Sequence, residues 1–120
     1  MAEMKLAPVE SRFADLIWQN EPLPSSQLVK LAEQTLEWKK STTYTVLKRL
    51  CERGIFQNEN GTVTSLISKE EFQSRQSEDF VNETFGGSLP AFLAAFGARK
   101  KLSAKEITQL ESIIRDMREG

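Results

Sequence analysis

Apolar residues recur along this chain at helical spacing over most of its length and at alternating spacing over one short stretch, and the changes of period mark out its elements. After Pro8, an acceptable early helical position, Val9, Phe13, Leu16 and Ile17 fall on one face of a helix that runs to about Asn20. The Glu21-Pro22-Leu23-Pro24 segment stops it. Ser25 or Ser26 caps a second helix to about Leu36, with Leu28, Leu31, Ala32 and Thr35 as its buried stripe. Trp38 lies in a short connection, where an aromatic between two helices serves the core before it serves base stacking. A third helix starts at Ser41 or its neighbour and ends at Gly54, a C-cap residue. Its Val46, Leu47, Leu50 and Cys51 face inward, leaving Thr42, Thr45, Lys48, Arg49 and Glu52 on the outer surface.

Beyond Gly54 the pattern shortens. Ile55-Phe56-Gln57 predicts a strand, Asn58-Glu59-Asn60-Gly61 a turn, and Thr62 to Ile67 a returning strand. A hairpin directly behind the third helix of a helix-turn-helix is a wing, here poor in charge. The last third returns to helical spacing. Ser68-Lys69-Glu70-Glu71 has capping-box spacing, Gly86-Gly87 is a break, and Ser88 caps a short helix, with Pro90 in its first turn, that Gly97 ends. Ser103-Ala104-Lys105-Glu106 is a further capping box, opening a helix whose Ile107, Leu110, Ile114 and Met117 form a seam like that of a coiled coil.

The predicted class is therefore mainly α with a small β hairpin: a winged helix-turn-helix domain over residues 1–68, followed by a helical dimerisation region over residues 69–120. The later helices carry more apolar surface than a domain with its own closed core needs. A homodimer using Phe72, Phe80, Leu89, Phe92, Leu93, Phe96, Ile107, Leu110, Ile114 and Met117 would cover it.

Charge changes the picture through its position. The formal net charge is only -1, yet Lys39, Lys40, Lys48, Arg49 and Arg53 face a single acid, Glu52, within fifteen residues. Such a local excess on an amphipathic helix with hydroxyls between the cations suits a polyanion, and double-stranded DNA above others. Between Lys69 and Phe85 the balance reverses, which turns that segment away from phosphates. Histidine is absent and Cys51 is the lone cysteine, read as a small buried side chain, so neither a metal cluster, nor a disulfide, nor an imidazole base is on offer. No enzyme and no cofactor is expected. With no long apolar run and no basic-then-apolar leader, the expectation is a soluble, cytoplasmic protein without a membrane partner.

The run from Trp38 to Gly54, with Thr42, Thr45, Leu47, Arg49 and Leu50 at fixed offsets, resembles the W-x-x-x-T-x-x-T-x-L-x-R-L-x-x-x-G signature of the penicillinase repressor family. Leu16-Ile17-Trp18, the glycine-containing wing and the Leu102-Ser103-x-x-Glu106-Ile107 start of the last helix extend the likeness over most of the chain. The resemblance implies a dimeric transcriptional repressor whose winged helix binds a palindromic operator. It places Thr42, Thr45 and Arg49 on the recognition helix, with Lys39, Lys40, Ser41, Tyr44 and Lys48 as neighbours and Thr62 on the wing. Arginine can donate two bonds to guanine, threonine offers a hydroxyl and a methyl, and lysine suits phosphate.

Against these stand plainer roles. Arg49 can pair with Glu52 or Arg53's neighbours on a solvated helix face, and Thr42 can bond to the helix N-terminus. Several features depart from the family pattern, among them Ser11 where the family's first helix often has a tryptophan and the lack of an aromatic in Ser65-Leu66-Ile67. The wing lacks a glycine-arginine step, since Thr62 follows Gly61. Relief of repression by a protease at an asparagine-phenylalanine bond would fall here at Ala95-Phe96. The Met117-Arg118-Glu119-Gly120 tail lacks the cysteines of copper-responsive members. The alternative function is a winged-helix protein-interaction module without specific DNA binding.

Overall fold

Helix α1 (Pro8–Asn20) opens on Pro8, whose missing N–H costs nothing in a first turn, and the Ala7 N–H donates to Glu10 Oε1 at 2.9 Å. Ala7 has no side-chain acceptor to give in return, so this is half of a capping box. In the computed structural model, which describes residues 4–120, α1 is followed by β1 (Leu23–Pro24), α2 (Ser25–Leu36), α3 (Lys40–Glu52), β2 (Phe56–Glu59), β3 (Thr62–Ser65), α4 (Lys69–Phe85), α5 (Leu89–Arg99) and α6 (Ala104–Glu119). The chain divides into two compact units, one through Asp79 and one from Phe80.

The first unit is a winged helix-turn-helix. Helix α2 ends on Glu37 in the left-handed region (φ 59), and the Trp38 N–H returns 3.3 Å to the Ala32 carbonyl, closing the helix as a Schellman turn does. That tight end sends the chain straight into α3. Gly54, at φ 79, closes α3 in turn and starts the hairpin. At its tip Asn60 and Gly61 have φ of 54 and 85, the paired positive angles of a two-residue turn whose twist matches the strands it joins. β3 pairs with β2 through Phe56↔Ser65 to Glu59↔Thr62, and on its other side with β1 through Leu23↔Val63.

One core holds these elements together. Phe13, Ala14 and Ile17 of α1, Leu28 and Ala32 of α2, Val46, Leu47 and Leu50 of α3, and Leu23, Ile55, Phe56 and Val63 around the sheet are buried together. Both tryptophans serve it. Trp38 packs on Phe13 with ring centroids 5.0 Å apart, and Trp18 lies against Phe56 at 5.1 Å and Phe72 at 5.5 Å. The Trp18 indole N–H donates to the Ile67 carbonyl at 3.1 Å. α4 is fastened by that Phe72 contact and by Lys69 to Asp15 at 3.0 Å.

Several sequence expectations are corrected here. Phe72 is no dimerisation residue: it is buried in the first unit, because Trp18 and Phe56 leave an aromatic slot that the first turn of α4 fills. The first unit accordingly extends past residue 68 to Asp79. Val9 and Thr35 are exposed, the α1 stripe being narrower than its apolar residues suggested, with Ala14 taking a buried place. The segment that stops α1 also supplies β1, a third strand. β3 ends at Ser65, leaving Leu66 exposed, and α5 runs through Gly97 to Arg99.

The second unit has caps but no buried interior. Ser88 Oγ accepts the Ala91 N–H at 3.1 Å, and Ser103 and Glu106 exchange reciprocal bonds of 3.1 Å. Phe80, Phe85 and Phe92 meet edge to face with centroids 5.5 to 5.9 Å apart, yet no residue from Phe80 onward is buried.

Replacing Phe72 by alanine removes an aromatic from a slot that cannot collapse, so we expect a loss of about 3–5 kcal/mol. Urea unfolding followed by tryptophan emission measures it, since Trp18 is the neighbour whose environment changes.

Candidate nucleic-acid interface

The outward face of α3 is the surface left when Thr43, Val46, Leu47 and Leu50 are turned into the core. Lys39, Lys40, Ser41, Thr42, Thr45, Lys48, Arg49 and Glu52 are all exposed. At its start the N-cap is Lys39, which supplies no side-chain hydrogen bond to the first turn. The first N–H groups are therefore left to solvent or to a ligand, and two lysines sit where the helix dipole disfavours cations. That is a poor helix start and a good place for a phosphate.

The two flanks of the face differ in how they are held. Toward α2, Tyr44 is half-buried and its hydroxyl lies 3.1 Å from Ser25 Oγ, so the tyrosine fastens the two helices of the motif to each other. Toward α1, Arg49 Nη1 donates to Glu10 Oε2 at 3.3 Å, with the arginine side chain 56% exposed and the glutamate 16%. Between the flanks Thr45 Oγ1 donates to the Ser41 carbonyl at 2.8 Å. Its proton is thereby used inside the helix, and what Thr45 offers outward is a pair of acceptor sites and a methyl group.

Among the five cations of the stretch, Arg53 donates to the Lys5 carbonyl and Arg49 to Glu10. Lys39, Lys40 and Lys48 have no hydrogen-bond or ion-pair partner among the described residues. The positive charge not engaged by described residues thus sits toward the two ends of the helix face, with hydroxyls between. The wing adds no cation: Glu59 is the one charged residue from Phe56 to Ser65, and Thr62 is exposed beside the tip. Its position is nevertheless fixed, because the Ser25 N–H donates to the Gly61 carbonyl at 2.7 Å and the Glu21 carboxylate accepts from the Ser65 N–H and hydroxyl at 2.7 to 2.8 Å.

Sequence reasoning placed the exposed face correctly but missed the groups that orient it. Glu10, Ser25 and Glu21 act across the chain; Ser25, expected to cap α2, makes no cap bond, since the cap position falls on Pro24 and the serine hydroxyl goes to Tyr44. The Thr43 hydroxyl is buried and donates to the Lys39 carbonyl at 3.2 Å. Cys51, expected to be buried, is half-buried beside Asn58, Lys48 and Tyr44. Burial pushes its thiol above the ordinary value, with the Asn58 backbone opposing and the Glu52 charge adding to the rise. Among the described residues no cluster of His, Cys, Asp or Glu could hold a metal ion, and no helix is long and apolar enough to cross a membrane.

In the second unit the apolar surface forms an open groove of 560 Å³ lined by Phe92, Leu93, Phe96, Leu102, Leu110 and Ile113. Phe80, Leu89, Phe96, Ile107, Ile114 and Met117 are exposed. Ile113, which the seam of α6 did not include, is 50% exposed and joins them. The Ile113-Ile114 pair widens the stripe beyond a two-position seam.

Residues 6–116 match the family described as penicillinase repressor. The penicillinase repressor of Bacillus licheniformis is 24% identical over 116 residues, spanning 93% of this chain and 91% of that protein. Among solved structures, the transcriptional regulator SlyA is similar at 18% identity with a TM-score of 0.44, over 98% of this chain and 77% of that one.

Because the folded state holds the Cys51 proton more tightly than the unfolded chain does, the linked stability is full below the unfolded thiol's pKa and is lost as the pH rises through the folded one. Alkylation with iodoacetamide at mildly alkaline pH should therefore be slower for the native protein than for the urea-unfolded chain. Equal rates would show an unshifted, open thiol.

Proposed function

Since this chain belongs to the penicillinase repressor family, whose members are transcriptional regulators, we propose that it represses transcription by binding a palindromic DNA operator as a homodimer. The observation that carries the reading is the outward face of α3, where Lys39, Lys40 and Lys48, without partners among the described residues, flank Ser41, Thr42 and Thr45 on a helix whose other side is locked into the core.

The chemistry divides by side chain. Lys39, Lys40 and Lys48 bind phosphates and supply most of the affinity, with release of counterions giving a steep dependence on salt. Thr42, Thr45 and Arg49 reach base edges in the major groove. Thr45, its proton already used, accepts from an adenine or cytosine amino group or lays its methyl on thymine; Arg49 donates to guanine. Ser41 and Tyr44 border the contact, and Thr62 brings the uncharged wing to the backbone beside it. Repression follows from occupancy of the promoter.

The exposed aromatic and aliphatic surface of the second unit supports the dimer. α6 has no buried residue at all, and a helix with Ile107, Ile113, Ile114 and Met117 in water is short of the burial that normally holds one in place. A second copy would cover Phe80, Leu89, Phe92, Leu93, Phe96, Ile107, Leu110, Ile114 and Met117, and would present two recognition helices to half-sites about 34–36 Å apart or a multiple of that. Residues 69–79 of the C-terminal region expected from sequence then serve as the link from the winged helix to the dimerising part. We place the protein in the cytoplasm, with its DNA.

Two outcomes check this. Lys48→Ala should weaken binding to operator and to random duplex alike and lower the slope of log affinity against log salt by about one, read by fluorescence anisotropy. An unchanged slope would remove Lys48 from the phosphates, and the absence of any salt-dependent binding by the native protein would favour a protein-interaction module. Ile114→Glu or Met117→Glu should yield a monomer in sedimentation equilibrium, with binding to a full palindrome reduced to that of a half-site.

A further inference from the structure

Glu10 lies on α1, outside the recognition helix, yet its carboxylate is engaged at both oxygens. Oε1 accepts the Ala7 N–H at 2.9 Å, and Oε2 accepts from Arg49 Nη1 at 3.3 Å. The first bond pins the carboxylate to the backbone at the start of α1, and the glutamate side chain is only 16% exposed. Arg49, 56% exposed, is by contrast a long side chain with much rotamer freedom to lose. A fixed acceptor holding one Nη of a planar guanidinium restricts the direction in which the rest of the fork points. Among the described residues nothing else bonds to the Arg49 side chain, so its Nε and Nη2 edge stays available.

We propose that Glu10 is a positioning residue for base readout: it aims the free edge of Arg49 at the major groove and cancels the charge that would otherwise draw Arg49 to a phosphate. The inference rests on the reading of α3 as the recognition helix. It separates Arg49 from Lys39, Lys40 and Lys48, which have no such partner among the described residues. Those lysines attract any duplex. A guanidinium whose charge is already balanced adds little to that attraction, and contributes where its fork meets two acceptors on one base.

The test uses the full-length protein and an operator selected with it from a random-sequence duplex pool. Binding of that operator and of each single-base-pair variant is measured by anisotropy for the native protein, Glu10→Gln, Glu10→Asp, Arg49→Ala and the Glu10→Gln/Arg49→Ala double variant. Glutamine keeps an acceptor for the Ala7 N–H but no charge, and a thermal melt alongside confirms that the fold is kept; aspartate keeps the charge but withdraws it from Arg49.

Arg49→Ala should lose roughly tenfold or more in discrimination at one base pair per half-site. Glu10→Gln and Glu10→Asp should each lose roughly tenfold at that same base pair. Affinity of Glu10→Gln for random duplex should be equal or higher, and the double variant should discriminate no worse than Arg49→Ala alone. Native discrimination in Glu10→Gln, or a loss that adds to that of Arg49→Ala, overturns the proposal. Uniformly tighter binding of Glu10→Gln with discrimination intact also overturns it, by showing Arg49 on a phosphate. If instead Arg49→Ala itself keeps full discrimination, the recognition role of Arg49 fails and the role of Glu10 with it, a result distinguishable from failure of Glu10 alone.

Discussion

Everything this protein presents to its surroundings from the first unit depends on the insertion of one apolar stripe of α3 into a shared core. Val46, Leu47 and Leu50 pack with Phe13 and Ile17 of α1, Leu28 of α2, and Ile55, Phe56 and Val63 around the sheet. A helix seated along one stripe cannot roll, because rolling would expose apolar surface and bury Lys48 or Thr45 without partners. The outward direction of the cations and hydroxyls is thus a consequence of what lies behind them. Even Thr43, a polar residue in that stripe, is admitted because the Lys39 carbonyl accepts its hydroxyl proton.

Around that anchored helix, a small number of polar contacts set finer alignment. Tyr44 to Ser25 ties α3 to α2, Glu10 to Arg49 ties it to α1, and the Gly61 carbonyl on the Ser25 N–H ties the wing to the start of α2. Each is modest in energy, since exposed or half-exposed hydrogen bonds and ion pairs contribute about 0–1.5 kcal/mol. Their value is geometric. They hold α1, α2, the wing and the outward face of α3 in one arrangement, and they do so without using Lys39, Lys40 or Lys48. At the start of α3, cations sit at the positive end of the helix and no side chain caps its first N–H groups.

The two units stand in contrast. The first closes its own interior; the second, from Phe80 onward, has well-formed caps and a chain of aromatic contacts but nothing buried. Capping and edge-to-face aromatic pairs stabilise helices by amounts that are small beside the burial of a full apolar stripe. Its apolar surface, which Ile113 extends, is wider than a simple coiled-coil seam.

What could be read from the residues alone was whatever depends on near neighbours. Helical spacing in Phe13 and Ile17 or in Val46, Leu47 and Leu50, the Asn60-Gly61 turn, the Gly54 stop and the Ser88 and Ser103 caps all act within a few positions, so the order of elements and the outward face of α3 were legible. Contacts between distant segments were not. Phe72 looked like one more apolar residue on a late helix, and only the slot left by Trp18 and Phe56 made it part of the first core. Leu23 and Pro24 looked like a stop, and only Val63 and Thr62 alongside made them a strand. Nothing nearby in the chain marked Glu10, and only the folded core brought it to Arg49, thirty-nine positions along the chain. Local periodicity states which side of an element is apolar; which surface comes to cover that side is a property of the assembled fold, because the hydrophobic effect rewards burial without specifying the partner.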